Sequence, residues 1–375
     1  MTPSQHLHAH LIGQPGSRAR LNTPALIIDL DALEANIAAM AAFGRAAGVA
    51  LRPHAKTHKS GDIGRMQVAA GAVGLCCAKL GEAETMAAEG IESILLTSPV
   101  VTAPAIERLV ALAGRMRDLA VVADHRDAVA ALAGANDGKP ICVLVDIDPG
   151  THRTGVASAA DAVALARQIA DAPQLTYSGV QFYCGSQQHI PSFADRRAAI
   201  ADRTAYLQTV IAVLTEAGLA PPVVTGGGTG THRIDAELGV LTELQVGSYV
   251  FMDREYDECD LGTSFATALM VDTRVISANA GGMATLDAGL KAFATEAGMP
   301  VIMAGAPAGS SYRFMGDEHG AVVVPDGEAA PALGARLTAM TPHCDPTVNL
   351  YDAYHVVRGD TLVAIWPVTA RGRSA

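Results

Sequence analysis

Cys142-Val143-Leu144-Val145-Asp146 is an unbroken apolar run that stops on a carboxylate. A strand with one face in water alternates apolar and polar residues, whereas a parallel strand covered by helices on both faces does not. The run therefore predicts a buried parallel strand with a polar side chain at its C-terminal end. Outward in both directions the pattern recurs: Ala25-Leu26-Ile27-Ile28 before Asp29, Val73-Gly74-Leu75-Cys76-Cys77, Ser93-Ile94-Leu95-Leu96, Ala120-Val121-Val122 ahead of Asp124, Val180-Gln181-Phe182 and Val223-Val224-Thr225, with helical stretches between. Arg52-Pro53-His54 and Leu244-Gln245-Val246 bring the candidates to nine. Successive βα units in that number predict an α/β fold, a (β/α)8 barrel of the TIM type plus one extra strand. No G-x-G-x-x-G follows the first run, which argues against a dinucleotide-binding sheet. After about Asp260 the runs shorten and Gly and Pro turns intervene. Ala321-Val322-Val323-Val324, Val356-Val357-Arg358 and Thr361-Leu362-Val363-Ala364-Ile365-Trp366 read as strands of a C-terminal β domain. The expected division is a barrel over 22–260 and a mainly β domain made by 1–21 with 261–375.

Composition narrows the function. The chain has 375 residues, half of them hydrophobic and only 4% aromatic, which suits close helix-on-sheet packing in an enzyme-sized α/β protein. Lys and Arg total 27 against 38 Asp and Glu, and the net charge of −11 disfavours nucleic acid or an anionic membrane as partner. Met1-Thr2-Pro3-Ser4-Gln5-His6 carries neither a basic n-region nor an apolar h-region, and no later stretch has the length of a membrane span, so a cytoplasmic location is expected. The six cysteines have no C-x-x-C spacing and are expected to be reduced packing residues. His6, His8 and His10 fall in a terminal stretch expected to be mobile, and His125, His232 and His355 receive no role.

Three motifs carry chemistry. Arg52-Pro53-His54-Ala55-Lys56-Thr57-His58-Lys59 sets a lysine at a strand end among cationic neighbours, where positive charge lowers an amine's pKa and readies it for Schiff-base formation; a basic surface loop is the alternative. Thr225-Gly226-Gly227-Gly228-Thr229-Gly230 follows a late strand, where loops of such barrels bind phosphate, and Gly247-Ser248-Tyr249 at the next strand end can add donors. Two donor loops and an activated lysine suggest pyridoxal phosphate. In Pro342-His343-Cys344-Asp345-Pro346-Thr347, His343 and Asp345 stand two apart, so that an extended segment turns both to one face for a divalent cation; a hydrogen-bonded turn is equally compatible with that spacing.

With Arg153-Thr154-Gly155-Val156, Tyr183-Cys184-Gly185, Gln188-His189, Asp287-Ala288-Gly289-Leu290-Lys291 and Asp317-Glu318-His319-Gly320, these motifs resemble, in order and over nearly the whole chain, the D-threonine aldolase, 3-hydroxy-D-aspartate aldolase and D-serine dehydratase family. Its members are pyridoxal-phosphate enzymes of the alanine-racemase-like fold. The resemblance implies that Lys56 carries the cofactor Schiff base, that Arg153, Tyr183, Thr229, Gly247, Ser248 and Tyr256 contact the cofactor, that His343 and Asp345 bind the metal, and that His189 takes the proton of the substrate β-hydroxyl. Cys344 is expected to point away. An aspartate at 345 is similar to the aldolase branches, whereas the dehydratases have cysteine there; the harder oxygen ligand favours Mn2+ or Mg2+ over Co2+ or Zn2+. Ala78 departs from the glutamine common in the family, and Lys79 or ordered water is expected to fill its place.

The implied reaction is retro-aldol scission of Cα–Cβ in a small β-hydroxy-D-amino acid of the D-threonine type, giving glycine and an aldehyde. Cleavage of 3-hydroxy-D-aspartate and dehydration to a keto acid and ammonia are the near alternatives. A racemase would not need a metal at the β-oxygen, and a non-catalytic pyridoxal-phosphate-binding protein would not need the β domain. The resemblance also implies a homodimer.

Overall fold

In the computed structural model, which describes residues 7–375, eight strands form an all-parallel sheet: β2 (Ala50–Leu51), β3 (Leu75–Cys77), β4 (Ser93–Leu96), β5 (Asp118–Ala123), β6 (Ile141–Asp146), β7 (Leu175–Phe182), β8 (Val223–Gly226) and β9 (Glu243–Leu244). From β3 to β9 each pairs with the next in chain order, and β9 pairs with β2. Beyond β2 the chain stays extended, His54 bridges Cys76, and Cys76 N–H donates to Pro53 C=O at 2.8 Å, which closes the barrel. Helices on the outside bury Leu, Ile, Val and Ala against the outward faces of these strands.

The interior is not the apolar layer that the runs suggest. Alternate inward residues are polar and linked: Arg52 donates to Glu243 at 3.0 Å and to Ser93 at 2.8 Å, and Ser93 to Asp118 at 2.6 Å. Thr225 donates to Glu243 at 2.9 Å, Gln245 to Thr225 and Gln181 at 3.1 Å each, and Gln181 to Asp146 at 2.9 Å. The small apolar remainder is Cys76, Leu95, Val122 and Leu144. Satisfied buried polar groups rigidify a core, and this chain runs from the floor of the barrel toward its C-terminal mouth.

The ninth run lies outside the barrel. β1 (Ala25–Asp29) pairs antiparallel with β10 (Leu269–Ser277) and parallel with β16 (Ala353–Arg358). It belongs to the second sheet, although 22–260 places it with the barrel; the chain enters the barrel region at helix Leu30–Ala47, capped by the Asp29 side chain on Ala32 N–H. The rest of the second sheet is β11 (Met283–Leu286), β12 (Val301–Ala304), β13 (Ser311–Phe314), β14 (Gly320–Val323), β15 (Arg336–Met340) and β17 (Thr361–Pro367), in the order β13-β14-β11-β10-β1-β16-β17 with β15 and β12 branching from β10. Its core joins Leu26, Ile28, Val271, Leu286, Leu337 and Tyr354 to Leu33, Met40 and Phe251 on the barrel side.

The N-terminal stretch is packed, not mobile, from residue 7 on. His8 is buried, its Nδ1 lies 2.8 Å from His355 Nε2, and its Nε2 accepts Asn22 N–H at 3.0 Å. An acceptor Nε2 makes Nδ1–H the donor, so both rings are neutral; burial lowers both, His355 to about 4. Arg18 binds Asp272 at 2.8 Å and Ser17 caps Leu362 N–H at 2.8 Å. His6 lies outside the described residues.

Arg196 carries much of the loop architecture. It is fully buried in helix Phe193–Glu216, and its guanidinium donates to Gly230 C=O at 2.7 Å and to the carbonyls of Ile190 and Asp260. Three loops are thus tied to one planar cation. Arg196→Met is expected to leave three carbonyls unpaired at a cost of about 1–3 kcal/mol each. Urea unfolding should show a loss of about 3 kcal/mol or more, and a loss below about 1 kcal/mol would contradict this assignment.

Candidate active site

The strand ends at the C-terminal mouth of the barrel surround a cavity of 560 Å³, lined in part by His54, Lys56, Lys79, Arg153, Tyr183 and Gln245. Lys56 reaches it from a 3-10 turn, Ala55–Thr57, that follows the closing strand and is capped by His54, whose Nδ1 accepts Lys56 N–H at 3.4 Å. His54 Nε2 lies 3.2 Å from Thr97 Oγ1. The left-handed backbone of Lys59, with φ 49°, turns the chain away, and its carbonyl is held by Ala370 N–H at 2.9 Å and Thr369 Oγ1 at 3.2 Å.

The electrostatic reason expected for a reactive Lys56 does not survive. Arg52 is spent on Glu243 inside the barrel and Lys59 on Glu82 at 3.3 Å. Burial pushes the imidazoles of His54 and His58 down, His58 to about 4, so both are neutral. The charge that Lys56 feels is Asp345, whose Oδ2 is 3.4 Å from Nζ and which holds the amine above the ordinary lysine range. What marks Lys56 is position: it is the lysine at the mouth that meets a carboxylate from the other domain.

His343 and Asp345 do come together, but not on an extended segment. His343 stands at the N-cap position of a short helix, Cys344–Val348, without a capping bond from its side chain, and Asp345 lies in the first turn, with His343 Nε2 4.0 Å from Asp345 Oδ1. The carboxylate of Asp345 is held below the usual range because Lys56 and His343 outweigh its burial. Its Oδ1 is buried and has no hydrogen-bond partner. Cys344 points away, its N–H on Asp253 Oδ2 at 2.8 Å and its thiol on Met252 C=O at 3.4 Å. Among the described residues no three His, Cys, Asp or Glu side chains converge to hold a metal unaided. An imidazole and an orphaned carboxylate oxygen fit a divalent cation as a pair, with the remaining positions open to other oxygens.

Thr229, Gly247, Ser248, Tyr256 and His189 form a second group beside the cavity. Gly247 backs directly on the lysine turn: a Cβ there would stand 2.7 Å from Thr57 Oγ1. Thr229 Oγ1 accepts Tyr249 N–H at 2.9 Å, joining the two loops read as donors. The glycines of the first loop serve close packing. A Cβ on Gly230 would lie 2.0 Å from Gln188 C=O, while Gly230 N–H donates to Gln188 Oε1 at 3.1 Å and Gly228 N–H to Thr231 Oγ1 at 3.2 Å. His189 is exposed and packs against Tyr256, with ring centroids 4.4 Å apart and the rings tilted 51° to each other. Burial of part of the ring outweighs Glu255 and lowers its pKa, which keeps a base available at neutral pH. Arg153 is exposed and lies over the Tyr183 ring at 5.4 Å.

A cofactor with an aldehyde, a planar ring and a phosphate fits these residues: the Lys56 amine at the cavity wall, a volume in the range of small-molecule sites, and two loops with hydroxyls behind it. Ala78 leaves its wall open on one side, where Lys79 also lines the cavity and Ala78 N–H is taken by Glu82 Oε2 at 2.7 Å. Sequence reasoning missed Glu255 and Glu296, which flank His343, and Asp253, which holds the Cys344 and Tyr256 backbones. Asp253 caps and Glu255 lies in a four-residue helix, Arg254–Asp257, and Glu296 lies in a loop; none has a period or motif to read, so only the structure joins them to the site.

Beneath the glycine loop, Asp235 is buried, with its Oδ2 accepting the Thr231 hydroxyl at 2.6 Å, and burial pushes its pKa up to about 7. The folded-state value is raised, so its stabilising contribution is full below the unfolded pKa of about 4 and is lost as pH rises through about 7. Asp235→Asn is expected to flatten the pH dependence of urea unfolding in that window, where the wild type loses at most about 1.4 kcal/mol per unit. Parallel slopes for the two proteins would contradict a protonated Asp235.

Comparison with known proteins fits this geometry. Residues 28–255 match the alanine racemase N-terminal domain and residues 268–357 the putative serine dehydratase domain. The chain is 42% identical over 366 residues to a D-threonine aldolase of Arthrobacter sp, covering 96% of both, and 38% identical over 371 residues to a 3-hydroxy-D-aspartate aldolase of Paracoccus denitrificans, covering 96% and 95%. The crystal structure of D-threonine aldolase from Filomicrobium marinum superposes with a TM-score of 0.92 at 40% identity, over 95% of this chain and 97% of that one. The chain belongs to the D-threonine aldolase and D-serine dehydratase family of pyridoxal-phosphate lyases, built on the alanine-racemase fold.

Proposed function

We propose that this protein is a pyridoxal-phosphate- and divalent-metal-dependent aldolase that cleaves β-hydroxy-D-amino acids of the D-threonine type to glycine and an aldehyde. The observation that carries the reading is the 3.4 Å approach of Lys56 Nζ to Asp345 Oδ2, with His343 on the far side of that carboxylate. A cation held by that imidazole and carboxylate would lie beside the amine proposed to anchor the cofactor, where a substrate's β-oxygen has to come.

Lys56 would form the covalent link to pyridoxal phosphate, and Arg153, Tyr183, Thr229, Gly247, Ser248 and Tyr256 would hold the cofactor. His343 and Asp345 hold the cation, Mn2+ or Mg2+ by the hardness of the aspartate oxygen. When bound, the cofactor supplies a sink for the electron pair released at Cα and the cation a Lewis acid for the β-hydroxyl. His189, kept neutral by its surroundings, accepts the β-hydroxyl proton as the Cα–Cβ bond breaks. Tyr256 packs against one side of that ring.

A homodimer is part of the proposal. β12 is an edge strand paired only with β15, and it exposes Val301 and Met303 beside Met299, an apolar strip that a second copy can cover. All six cysteines are free, which agrees with a reducing, cytoplasmic setting, and no helix among the described residues is long and apolar enough to cross a membrane.

The test is product analysis of cofactor-loaded protein, stripped of metal and then given Mn2+, with D-threonine, D-serine and both 3-hydroxy-D-aspartate diastereomers. Glycine and aldehyde, formed fastest from D-threonine and only with metal, are expected. Faster cleavage of a hydroxyaspartate would reassign the substrate, keto acid with ammonia would make the enzyme a dehydratase, and no turnover would favour a cofactor-binding protein.

A further inference from the structure

Glu296 stands outside every motif, yet its Oε1 is 2.8 Å from His343 Nδ1. A carboxylate oxygen only accepts, so Nδ1 carries the proton and donates. The other ring nitrogen, Nε2, is the one turned to Asp345 Oδ1 at 4.0 Å, and that oxygen is buried without a partner. Glu255 Oε2 is also near Nδ1, but at 3.6 Å it is beyond hydrogen-bond reach.

The placement of Glu296 is built into the fold. Ala294 N–H donates to Thr347 Oγ1 at 3.0 Å, and the same hydroxyl donates to His343 C=O at 2.7 Å. Thr347 is thus a buried clamp between the loop that carries Glu296 and the short helix that carries Asp345. Phe293, one residue before Ala294, is buried against Tyr312 with ring centroids 5.5 Å apart, which anchors that loop in the β domain. Glu296 reaches the imidazole from a tethered loop, although its own carboxylate is half exposed.

We propose that Glu296 is a positioning residue for the cation pair: by accepting Nδ1–H it fixes the tautomer and plane of His343, so that the Nε2 lone pair is directed at the point shared with Asp345 Oδ1. A ligating imidazole whose second nitrogen is held by a carboxylate is also the more basic ligand. The inference rests on His343 and Asp345 binding a cation, as in the proposed function.

Mn2+ titrations followed by the electron paramagnetic resonance signal of the free ion test it on the cofactor-loaded protein. Glu296→Ala is expected to weaken Mn2+ binding about 10–100-fold, while Glu296→Gln, whose amide oxygen still accepts Nδ1–H, is expected to recover most of that loss. Unchanged thermal unfolding of both variants without metal excludes a purely structural effect. Glu296→Ala within about twofold of a wild type that binds Mn2+ would overturn the assignment, as would equal losses in the Ala and Gln variants. A wild type that binds no Mn2+ would overturn both this assignment and the metal-dependent function.

Discussion

Lys56→Ala is expected to remove turnover, by about 10⁴-fold or more in kcat, because the covalent link to the cofactor and the amine that exchanges with substrate are lost together. The neighbouring lysines cannot replace it. Lys59 is drawn off to Glu82, with its backbone locked by Ala370, and Lys79 lines the cavity from the neighbouring strand end, after β3, without the Asp345 contact that Lys56 makes. Borohydride reduction of the loaded wild type followed by peptide mapping should find the pyridoxyl group on Lys56 and on neither other lysine. Lys56→Arg keeps a cation beside Asp345 and should fold as the wild type does, which separates lost chemistry from the cost of an unpaired carboxylate. Substantial activity in a folded Lys56→Arg protein would contradict the assignment.

The second large effect belongs to Asp345. Asp345→Asn removes the charge that faces both Lys56 and His343, while keeping the size of the side chain. A cation acting on the β-hydroxyl supplies several kcal/mol, so the variant is expected to lose about 10³-fold in kcat/KM for D-threonine, or about 4 kcal/mol. Part of that loss should return at high Mn2+ concentration, because weakened binding is the first consequence. Wild-type kcat/KM in Asp345→Asn at low Mn2+ would show that the carboxylate serves Lys56 alone.

The barrel was legible because burial on both sides writes itself as apolar runs: seven of the nine runs overlap its strands, and Arg52-Pro53-His54 is the extended segment after β2 that closes it. Ala25-Leu26-Ile27-Ile28 misled for a physical reason: a central strand of the second sheet, flanked by β10 and β16, is as buried as a barrel strand and carries the same pattern. Strands β11, β12 and β13 were invisible because four-residue strands with mixed burial have no period to read. The polar interior was likewise hidden: Gln181, Thr225 and Gln245 are single polar residues within apolar runs, and their linkage across the barrel is a property of the closed sheet.

At the site, residue types were legible and their electrostatics were not. Lys56, His343, Asp345 and His189 lie around one region, as the motifs implied, but the cationic neighbours of Lys56 are dispersed by the strand and turn geometry, and a carboxylate 289 positions away takes their place. His343 and Asp345 meet through a helical turn, not through the alternation of an extended chain. Glu296 could not be found from spacing at all, since the Thr347 clamp that delivers it is a tertiary contact.

The most direct measurement is an anomalous-scattering map from crystals of the cofactor-loaded protein grown with Mn2+. The account predicts one Mn2+ peak bonded to His343 Nε2 and Asp345 Oδ1, with continuous density joining Lys56 Nζ to the cofactor in the same cavity. A metal bound elsewhere, or a cofactor joined to another residue, would contradict it.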